Sequence, residues 1–436
     1  MIEGTDWLCD KHFGKRLVDE GVEILDPATG TGTYICELIE YFRGQPDKLR
    51  RKYTEELHAN EVAILPYYVA NLNIEATYQA VSGQYAEYPN LCFVDTLDNI
   101  DGLGIKSGHQ FDMFAAISDE NVERVKRQNK RKISVVIGNP PYNAQQASVL
   151  GENQNRSYPH IDNLIRNSIT KYSSATKGRN QDPFIRFYRW ASDRLHDEGI
   201  IAFITNRSFI DGGSHDGLRR FFRLNFSNIY VMDLGGAWRS TDDAGGENVF
   251  EGIGTGVAIA FLIKKGGKEA SHINLCTLGG LSQRDDKLAY LSSKPLAETD
   301  FRCITPDARD GWIDAPPNDW SGFLSLIDDR TKSANRASLD RSIFRQFSLG
   351  ISTNREKWVY CLSDAEAAFA ERFLTDSYNA GPKGTEKQRT ISWSDTLKSK
   401  RKRHSTLGPH RCTDVLVRCQ RRSKNLPLGG AKVDHL

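Results

Sequence analysis

The 436-residue sequence lacks the features of membrane-spanning, secreted and zinc-binding proteins. No apolar run approaches the roughly 18 residues that a membrane-spanning helix needs, and the first residues, MIEGTDWLCDKHFGK, do not have the pattern of a signal peptide. The eight cysteines contain no C-x-x-C pair, which argues against a zinc ribbon and a secreted disulfide scaffold. We therefore expect a protein of a reducing cytoplasm, with no bound metal and no membrane partner.

Two common nucleotide-binding signatures are also absent. The chain has no phosphate-binding loop that ends in Gly-Lys-Ser or Gly-Lys-Thr, so we expect no ATP-driven translocase within it. A dinucleotide-binding turn would have a third glycine where this chain has Ile35, and an acid about 20 residues further on. The next acid that follows an apolar run is Glu61, which is much further along the chain.

What the sequence does have is enough apolar residues for a folded core and an uneven distribution of charge. Hydrophobic residues make up 39% and charged residues 26% of the chain, and its length suggests two or three domains. Residues 398–436 hold eleven Lys or Arg and two Asp, so this tail carries +9 and residues 1–397 carry −7. A basic tail on a mildly acidic body suggests a polyanionic partner, with a solvated, poorly ordered end as the alternative.

Short apolar runs separated by helical patterns predict a doubly wound α/β domain. Seven runs are candidate strands: 22–25, 57–62, 91–94, 133–138, 200–205, 229–234 and 256–264. Run 133–138 is the most β-branched, which suits a central parallel strand. Because alternation weakens after residue 270, we predict one domain over 1–270, a partial second domain over 271–397 and a poorly ordered tail over 398–436.

The first chemical signal is DPATGTGT at 26–33, between a predicted strand and a predicted helix. Gly30 and Gly32 allow the backbone to pass close to a ligand without a Cβ clash, and the helix that follows presents free N–H groups. With the dinucleotide and phosphate-loop patterns absent, S-adenosylmethionine is the remaining common ligand of an acidic residue followed by a G-x-G turn. A tight strand–helix turn with no ligand is the alternative.

The second signal is Asn139-Pro140-Pro141-Tyr142, directly after run 133–138. Ligands of open α/β sheets bind beyond the carboxyl ends of the strands, so this tetrapeptide should face the same crevice as the glycine turn. The Asn139 side-chain oxygen and the Pro140 carbonyl can accept hydrogen bonds from an exocyclic amine, which frees its lone pair to attack a methyl sulfonium. Pro140 and Pro141 stiffen the backbone, and Tyr142 offers a ring on which a base can stack. A polar turn is the alternative.

These motifs resemble those of N6-adenine DNA methyltransferases of the gamma arrangement, in which the methionine-binding turn precedes the catalytic turn and the target-recognition region. Longer strings are similar to the methyltransferase part of type ISP single-polypeptide restriction-modification enzymes: LHANEVAILPYYVANLNIE (57–75), CFVDTLD (92–98), SVVIGNPPYN (134–143), FIRFYRWASDRL (184–195), GIIAFITNRSFIDG (199–212) and GVAIAFLIKK (256–265). The resemblance covers about residues 5–265 and continues more loosely to about 395. It implies a mostly parallel, seven-stranded methyltransferase sheet followed by a mixed α/β target-recognition region.

The resemblance also implies a role for each matching position. The implied enzyme is a site-specific adenine DNA methyltransferase that uses S-adenosyl-L-methionine and takes double-stranded DNA with a flipped adenine, because the N6 amine is paired inside the duplex. The N-P-P-Y residues Asn139, Pro140, Pro141 and Tyr142 match the catalytic motif, and Phe250 matches a second aromatic that stacks on the flipped base. The residues implied to hold the cofactor are Asp26, Pro27, Ala28, Thr29, Gly30, Gly32 and Thr33 at the turn, Glu61 at the ribose, and Asp95 and Thr96 at the adenine.

The sequence departs from the family pattern at both ends. The family carries an ATP-dependent nuclease-translocase ahead of the methyltransferase, and its Thr-Pro segment that closes over the cofactor would fall before Met1. Residues beyond about 400 resemble no part of the family's recognition domain. We therefore expect a truncated or frame-disrupted gene, a cofactor pocket that lacks one wall, and nuclease or translocase domains or subunits on other chains as partners.

Other interpretations stay open at the level of sequence. RNA and protein-glutamine N-methyltransferases also use N-P-P-Y, although a large region after the catalytic domain favours DNA sequence reading. A degenerate remnant that binds DNA or cofactor without turnover is the non-enzymatic alternative. Glu61 and Asp95 could be ordinary strand-end acids, and Phe250 could be a core residue. The basic run 124–132 precedes a strand and is expected at the edge opposite the crevice, whereas Arg207, which follows a strand, is better placed for a phosphate.

Overall fold

A computed structural model describes residues 1–103, 119–141, 157–173, 182–236, 246–267, 271–278, 283–307 and 310–312, together with a few isolated positions between 363 and 372. The chain divides into one compact unit over Met1–Pro316 and a second over Pro317–Leu436. Nearly all described residues belong to the first unit. No helix in this described part of the chain is long and apolar enough to cross a membrane.

The first unit consists of a β-sheet and the helices that connect its strands. The strands are β1 Ile24–Asp26, β2 Leu57–Glu61, β3 Leu91–Phe93, β4 Ile133–Gly138, β5 Leu195–Asn206, β6 Asn228–Gly235, β7 Val257–Lys264, β8 His272–Thr277 and β9 Arg302–Ile304. The helices are α1 Ile2–Phe13, α2 Thr33–Tyr41, α3 Pro46–Arg51, α4 Ile64–Ser82, α5 Asp119–Asn129, α6 Pro159–Ile165, α7 Pro183–Arg194, α8 Ser208–Asp211, α9 Asp216–Asn225 and α10 Arg284–Ser293. Two π-helical turns, Lys52–Glu56 and Arg166–Thr170, directly follow α3 and α6.

The strands lie in the order β3-β2-β1-β4-β5-β7-β6-β8-β9. Strands β1 to β5 pair in parallel, β7 runs antiparallel between β5 and β6, β8 is parallel to β6, and β9 is antiparallel to β8. The predicted mostly parallel α/β sheet is confirmed, but the sheet has nine strands rather than seven. The additional strands lie after residue 270, where β8 pairs with β6 from His272 to Thr277. The sheet therefore continues past the predicted end of the first domain.

Strand β4 lies in the buried interior of this sheet. Its residues Ile133, Val135, Val136 and Ile137 are at most 1% exposed, and it pairs in parallel with β1 on one side and β5 on the other. Branched apolar side chains on both faces are typical of a parallel strand that is covered on both sides. This burial fixes the point at which the chain leaves β4, directly before Asn139.

The parallel strands end at a common edge, which we call the carboxyl edge. Because β7 runs in the opposite direction, its first residue, Val257, pairs with Asn206 and Gly235 at the ends of β5 and β6. The loop that precedes β7 therefore reaches the carboxyl edge as well. The segments after β1, β2, β3 and β4 and the segment before β7 meet at this edge, where open α/β sheets bind their ligands.

Candidate cofactor and catalytic site

The glycine turn after β1 has a backbone that favours glycine at two positions. Gly30 has a φ angle of 57° and Gly32 one of 91°, both in the left-handed region that residues with a Cβ rarely adopt. The Thr29 N–H donates a hydrogen bond to the Asn60 carbonyl at 2.9 Å, which ties the turn to β2. Thr33 begins helix α2, so the amino end of this helix follows the turn directly.

Glu61, the last residue of β2, is hydrogen-bonded to the glycine turn. Its Oε2 accepts a hydrogen bond from the Gly30 N–H at 2.8 Å, and its Oε1 accepts one from the Ala63 N–H at 2.7 Å. Each carboxylate oxygen has a second lone pair, so Glu61 can also accept hydrogen bonds from ligand hydroxyls. The turn is open beside it, because a Cβ on Gly30 would meet no atom within 4 Å. Val62, the next residue, is 50% exposed and offers an apolar surface.

Asp26 is completely buried and touches the turn rather than the crevice. Its Oδ1 accepts a hydrogen bond from the Ala28 N–H at 3.1 Å, and its Oδ2 has no hydrogen-bond partner among the described residues. Burial raises the pKa of Asp26 to about 7; the Ala28 N–H opposes this rise, and the Glu61 carboxylate adds to it. As placed, Asp26 shapes the turn through its hydrogen bond and can act on a ligand through its charge.

Asp95 and Thr96, which follow β3, reach the same turn. The Thr96 hydroxyl donates to the Pro27 carbonyl at 2.6 Å and accepts a hydrogen bond from the Asn60 amide at 3.2 Å. The Asp95 Oδ2 accepts a hydrogen bond from the Tyr158 hydroxyl at 3.1 Å. The structure thus brings together the residues predicted to hold the cofactor: Asp26, Pro27, Ala28, Thr29, Gly30, Gly32, Thr33, Glu61, Asp95 and Thr96. Their roles toward a cofactor stay predictions.

The N-P-P-Y segment leaves the sheet beside the glycine turn. A Cβ on Gly138, the last residue of β4, would lie 2.8 Å from the Asp26 Oδ1. Gly138, which directly precedes the motif, is therefore in contact with Asp26, the first residue of the glycine turn. Asn139 and Pro141 are exposed, whereas Pro140 is buried. An exposed Asn139 amide on a stiff, partly buried backbone is available to a substrate amine.

Of the two aromatic residues predicted to stack on the target base, the structure describes Phe250; Tyr142 lies outside the described residues. Phe250 is half-buried in the loop before β7, at the carboxyl edge. It lines a cavity of about 300 Å³ together with Met232, Leu234 and Leu288. The stacking role of both aromatics stays a prediction.

Helix α10 holds the loop that carries Phe250. The Arg284 Nε donates a hydrogen bond to the Val249 carbonyl at 3.0 Å, and the Lys287 Nζ donates one to the Glu247 carbonyl at 2.7 Å. Lys287 is completely buried. Lysine is almost never fully buried without a partner, and here the Glu247 carbonyl is that partner. The two cations of α10 thus bind backbone carbonyls directly before Phe250. Because α10 lies beyond residue 270, this loop depends on residues after the predicted end of the first domain.

Arg207, the basic residue that the sequence suggested for a phosphate contact, is paired with acidic residues within the fold. Arg207, which follows β5, donates from Nε and Nη2 to the two carboxylate oxygens of Asp233 at 2.7 and 2.8 Å and forms a second ion pair with Asp211. The carboxylates of Asp233 and Asp211 therefore compensate the charge of Arg207, the residue that the sequence suggested for a phosphate contact. The basic run 124–132 lies in α5 and before β4, at the edge opposite the carboxyl edge, as expected. Among the described residues, no group of three His, Cys, Asp or Glu could hold a metal ion.

Comparison with known families identifies the part of the chain that contains this site. Residues 29–237 match the family model of the Eco57I restriction-modification methylase. This part of the chain belongs to that family. The match includes the glycine turn, the acids after β2 and β3 and the N-P-P-Y segment. No curated protein matches the chain.

Three solved structures resemble this chain in both sequence and fold. A DrdV–DNA complex solved by cryo-EM is 43% identical over 87% of this chain, with a TM-score of 0.78. A nuclease-deletion mutant of the type ISP restriction-modification enzyme LlaGI, in complex with a DNA substrate mimic, is 32% identical over 91%, with a TM-score of 0.77. The ATP-dependent type ISP enzyme LlaBIII, bound to DNA, is 33% identical over 93%, with a TM-score of 0.76. The predicted resemblance to type ISP enzymes is confirmed, and this chain spans 36%, 33% and 28% of these three chains.

Three further residues of the candidate site were not predicted from the sequence. Asn60 links the turn to Thr96, and its side-chain oxygen is buried without a hydrogen-bond partner among the described residues. Gly138 packs against the turn, and Tyr158 donates to Asp95. Asn60 and Gly138 directly precede Glu61 and Asn139, so their positions next to predicted site residues were an available signal. Tyr158 had no such signal, because it lies 63 positions away from Asp95 in the chain.

Proposed function

We propose that this chain transfers a methyl group from S-adenosyl-L-methionine to the N6 amine of adenine in specific DNA sequences, as the modification part of a restriction-modification system. The observation that carries the proposal is the contact of Gly138 with Asp26, which puts the N-P-P-Y segment beside the glycine turn. Membership of the Eco57I methylase family supports a modification role. The three similar structures are all complexes with DNA or a DNA mimic, which supports DNA as the substrate.

The residues around the turn fit S-adenosyl-L-methionine. The open side of Gly30 leaves room for a ligand, and the free lone pairs of Glu61 suit the two hydroxyls of a ribose. Asp95 is an acceptor for the amine of an adenine, and the buried charge of Asp26 favours a cationic ligand nearby. When bound, the cofactor supplies an electrophilic methyl group.

The N-P-P-Y residues act on the substrate amine. An adenine amine is a poor nucleophile because its lone pair is delocalised into the ring. Hydrogen bonds to the Asn139 amide oxygen and the Pro140 carbonyl favour a pyramidal nitrogen whose lone pair can attack. Tyr142 and Phe250 stack on the base and keep it out of the duplex. No general base with a shifted pKa is required, because the amine loses its proton after the methyl group has been transferred.

The test is transfer of labelled methyl from S-adenosyl-L-methionine to unmodified genomic DNA, followed by nucleoside analysis. We expect label in N6-methyladenine, and a loss of about 100-fold or more in Asn139→Ala, by analogy with the removal of one transition-state hydrogen bond. Asn163→Ala is the matched control, because Asn163 is an exposed asparagine on α6 that bonds Arg166 rather than the turn. Label in N4-methylcytosine would contradict the base assignment, and label in RNA or protein only would contradict the substrate.

A further inference from the structure

We propose that Tyr158 is a positioning residue for the cofactor, which holds the Asp95 carboxylate in the orientation that selects an adenine amine. The inference rests on the proposed function, since it takes Asp95 as the residue that meets the adenine. Tyr158 lies directly before α6, and Asp95 follows β3, so two distant parts of the chain meet in this contact.

The contact is a hydrogen bond between a phenol and a carboxylate. The Tyr158 hydroxyl donates to the Asp95 Oδ2 at 3.1 Å, while the Asp95 Oδ1 accepts a hydrogen bond from the Leu97 N–H at 3.1 Å. Asp95 is only 7% exposed, so most of its surface is in contact with protein. A bond to each oxygen fixes the plane of the carboxylate, and an ionised carboxylate can only accept hydrogen bonds. Asp95 is thereby held as an acceptor.

Tyr158 is itself held in place by two charged groups. Its backbone N–H donates to the Asp162 Oδ2 at 3.0 Å, and the Arg186 guanidinium lies 5.2 Å from the centre of its ring. Arg186 is 3% exposed and donates from Nε to the Asp162 Oδ1 at 2.8 Å. A cation over an aromatic face is attractive, and its burial strengthens the attraction. The ring therefore has a defined position from which its hydroxyl can orient Asp95.

An oriented acceptor distinguishes two purines by the group at carbon 6, which is an amine in adenine and a carbonyl in hypoxanthine. The exocyclic amine of an adenine donates a hydrogen bond to a carboxylate, whereas the carbonyl oxygen of a hypoxanthine would repel it. A site built to accept a donor rejects an analogue that lacks the donor, because its polar group is left unpaired. If Tyr158 orients Asp95, its hydroxyl should contribute to the preference for adenine over hypoxanthine, and not to affinity in general.

The experiment measures, by calorimetric titration, the binding of S-adenosylhomocysteine and S-inosylhomocysteine to the unmodified chain and to Tyr158→Phe. The substitution keeps the ring beside Arg186 and removes only the hydroxyl. We expect Kd for S-adenosylhomocysteine to rise about tenfold, the effect of one hydrogen bond to a charged group, and Kd for the inosyl compound to change little. Tyr172→Phe is the matched control, because the Tyr172 ring also has a guanidinium, that of Arg220, at 5.2 Å. It should leave both constants unchanged.

A double-mutant cycle with Asp95→Asn tests the bond itself. In the Asp95→Asn background, Tyr158→Phe should change Kd for S-adenosylhomocysteine less than twofold, because the carboxylate that it orients is gone. Equal weakening of both ligands, or independent effects of the two substitutions, would overturn the positioning role while the proposed function stands. Failure of the unmodified chain to bind S-adenosylhomocysteine would overturn the proposed function and the role of Tyr158 with it.

Discussion

Gly138 and Asp26 are in van der Waals contact at the ends of two neighbouring strands, with a Cβ on Gly138 placed 2.8 Å from the Asp26 Oδ1. This distance is shorter than real Cβ atoms show, so no larger residue fits at position 138 without a shift of the backbone or of the carboxylate. The contact sets the separation between the glycine turn and Asn139. If a methyl group passes between a cofactor and a base at this edge, that separation fixes how the two approach one another.

Substitution of Gly138 should therefore affect chemistry more than folding. In Gly138→Ala the added methyl pushes against Asp26, and we expect a loss of about 1–3 kcal/mol in the free energy of unfolding, as for overpacking elsewhere. The rate of methyl transfer should fall at least tenfold, because Asn139 moves with its neighbour. Stability by urea denaturation and single-turnover transfer are the measurements. Gly44→Ala is the control, because a Cβ there meets no atom within 4 Å, and an equal loss of rate in it would contradict this account.

Gly30 is the position at which the glycine turn can be blocked with least damage to the fold. An alanine there has open space around its Cβ, so it costs the left-handed φ, about 1–2 kcal/mol, but no clash. Gly32→Val would add a clash, since a Cβ at that position lies 3.1 Å from Ile74 and 3.3 Å from the Ala70 backbone. We expect Gly30→Ala to weaken S-adenosylmethionine binding at least fivefold in a folded protein. Calorimetry with unchanged affinity would argue against a ligand at this turn.

The raised pKa of Asp26 predicts a pH dependence of stability in the absence of ligand. The folded carboxyl titrates at about 7, whereas its ordinary value is 3.8, so between these pH values the folded chain keeps a proton that the unfolded chain has released. Because the folded state binds more protons, its stability falls as pH rises through this window. Three pKa units correspond to at most about 4 kcal/mol.

Asp26→Asn tests this dependence because it keeps an acceptor for the Ala28 N–H without a titrating charge. We expect urea denaturation curves at pH 5, 6, 7 and 8 to show a declining free energy of unfolding for the unmodified chain and a flatter profile for the variant. Above pH 7 the variant should be the more stable protein, yet bind S-adenosylmethionine less tightly. Parallel pH profiles of the two proteins would show that Asp26 is already ionised at pH 5.

Substitution of Lys287 should impair flipping of the target base without changing cofactor affinity, because Lys287 contacts the Phe250 loop and not the glycine turn. Lys287→Met preserves the apolar stem but leaves the Glu247 carbonyl without its donor, for a loss of about 1–3 kcal/mol in stability. We expect slower methyl transfer and a smaller fluorescence rise from 2-aminopurine at the target position, with an unchanged Kd for S-adenosylmethionine. Lys294→Met provides the comparison, since this lysine lines the same cavity as Phe250. A normal fluorescence rise in Lys287→Met would mean that the hydrogen bond from Lys287 to the Glu247 carbonyl does not position Phe250.

The sheet predicts where the chain can be shortened. A chain that ends at residue 270 loses β8 and β9, which pair with β6 and with each other, so it should be poorly folded. A chain that ends at Pro316 keeps the whole first unit, and we expect it to bind S-adenosylmethionine but to lose preference for specific DNA. Competition binding on specific and random duplexes at two salt concentrations checks this. Full sequence preference in the shortened chain would place recognition before residue 317.

Most of the strands that carry the site were predictable from local apolar patterns. Run 133–138 coincides with β4, and the runs at 57–62 and 91–94 match β2 and β3 to within one residue. Strands β3 and β4 are almost entirely buried, so their apolar character is nearly continuous and needs no tertiary information. Strand β2, with the sequence LHANE, has a weaker apolar pattern although it is buried as well. The glycine turn and the N-P-P-Y segment were recognisable for a related reason, since their residue types follow from the backbone and chemistry that each position requires.

Strand β8 and Tyr158 show what local patterns do not contain. In β8 the end residues His272 and Thr277 are exposed and only three of six residues are buried, so its pairing with β6 is visible only in the folded sheet. Tyr158 owes its position to Asp162, Arg186 and Asp95, which come from three different parts of the chain. The contribution of α10 to the Phe250 loop was hidden for the same reason.

The reversed direction of β7 has a consequence for how such a site can diversify. A parallel strand in its place would begin at the far edge, and the residues before it would lie a full strand length away from Asn139. Because β7 begins at Val257, beside the ends of β5 and β6, the described residues around Phe250 lie directly at the carboxyl edge. An antiparallel neighbour needs no crossover connection to reach this position. Each wall of the crevice is therefore a separate loop on a fixed sheet, free to vary in length and sequence while the strands beneath it stay the same.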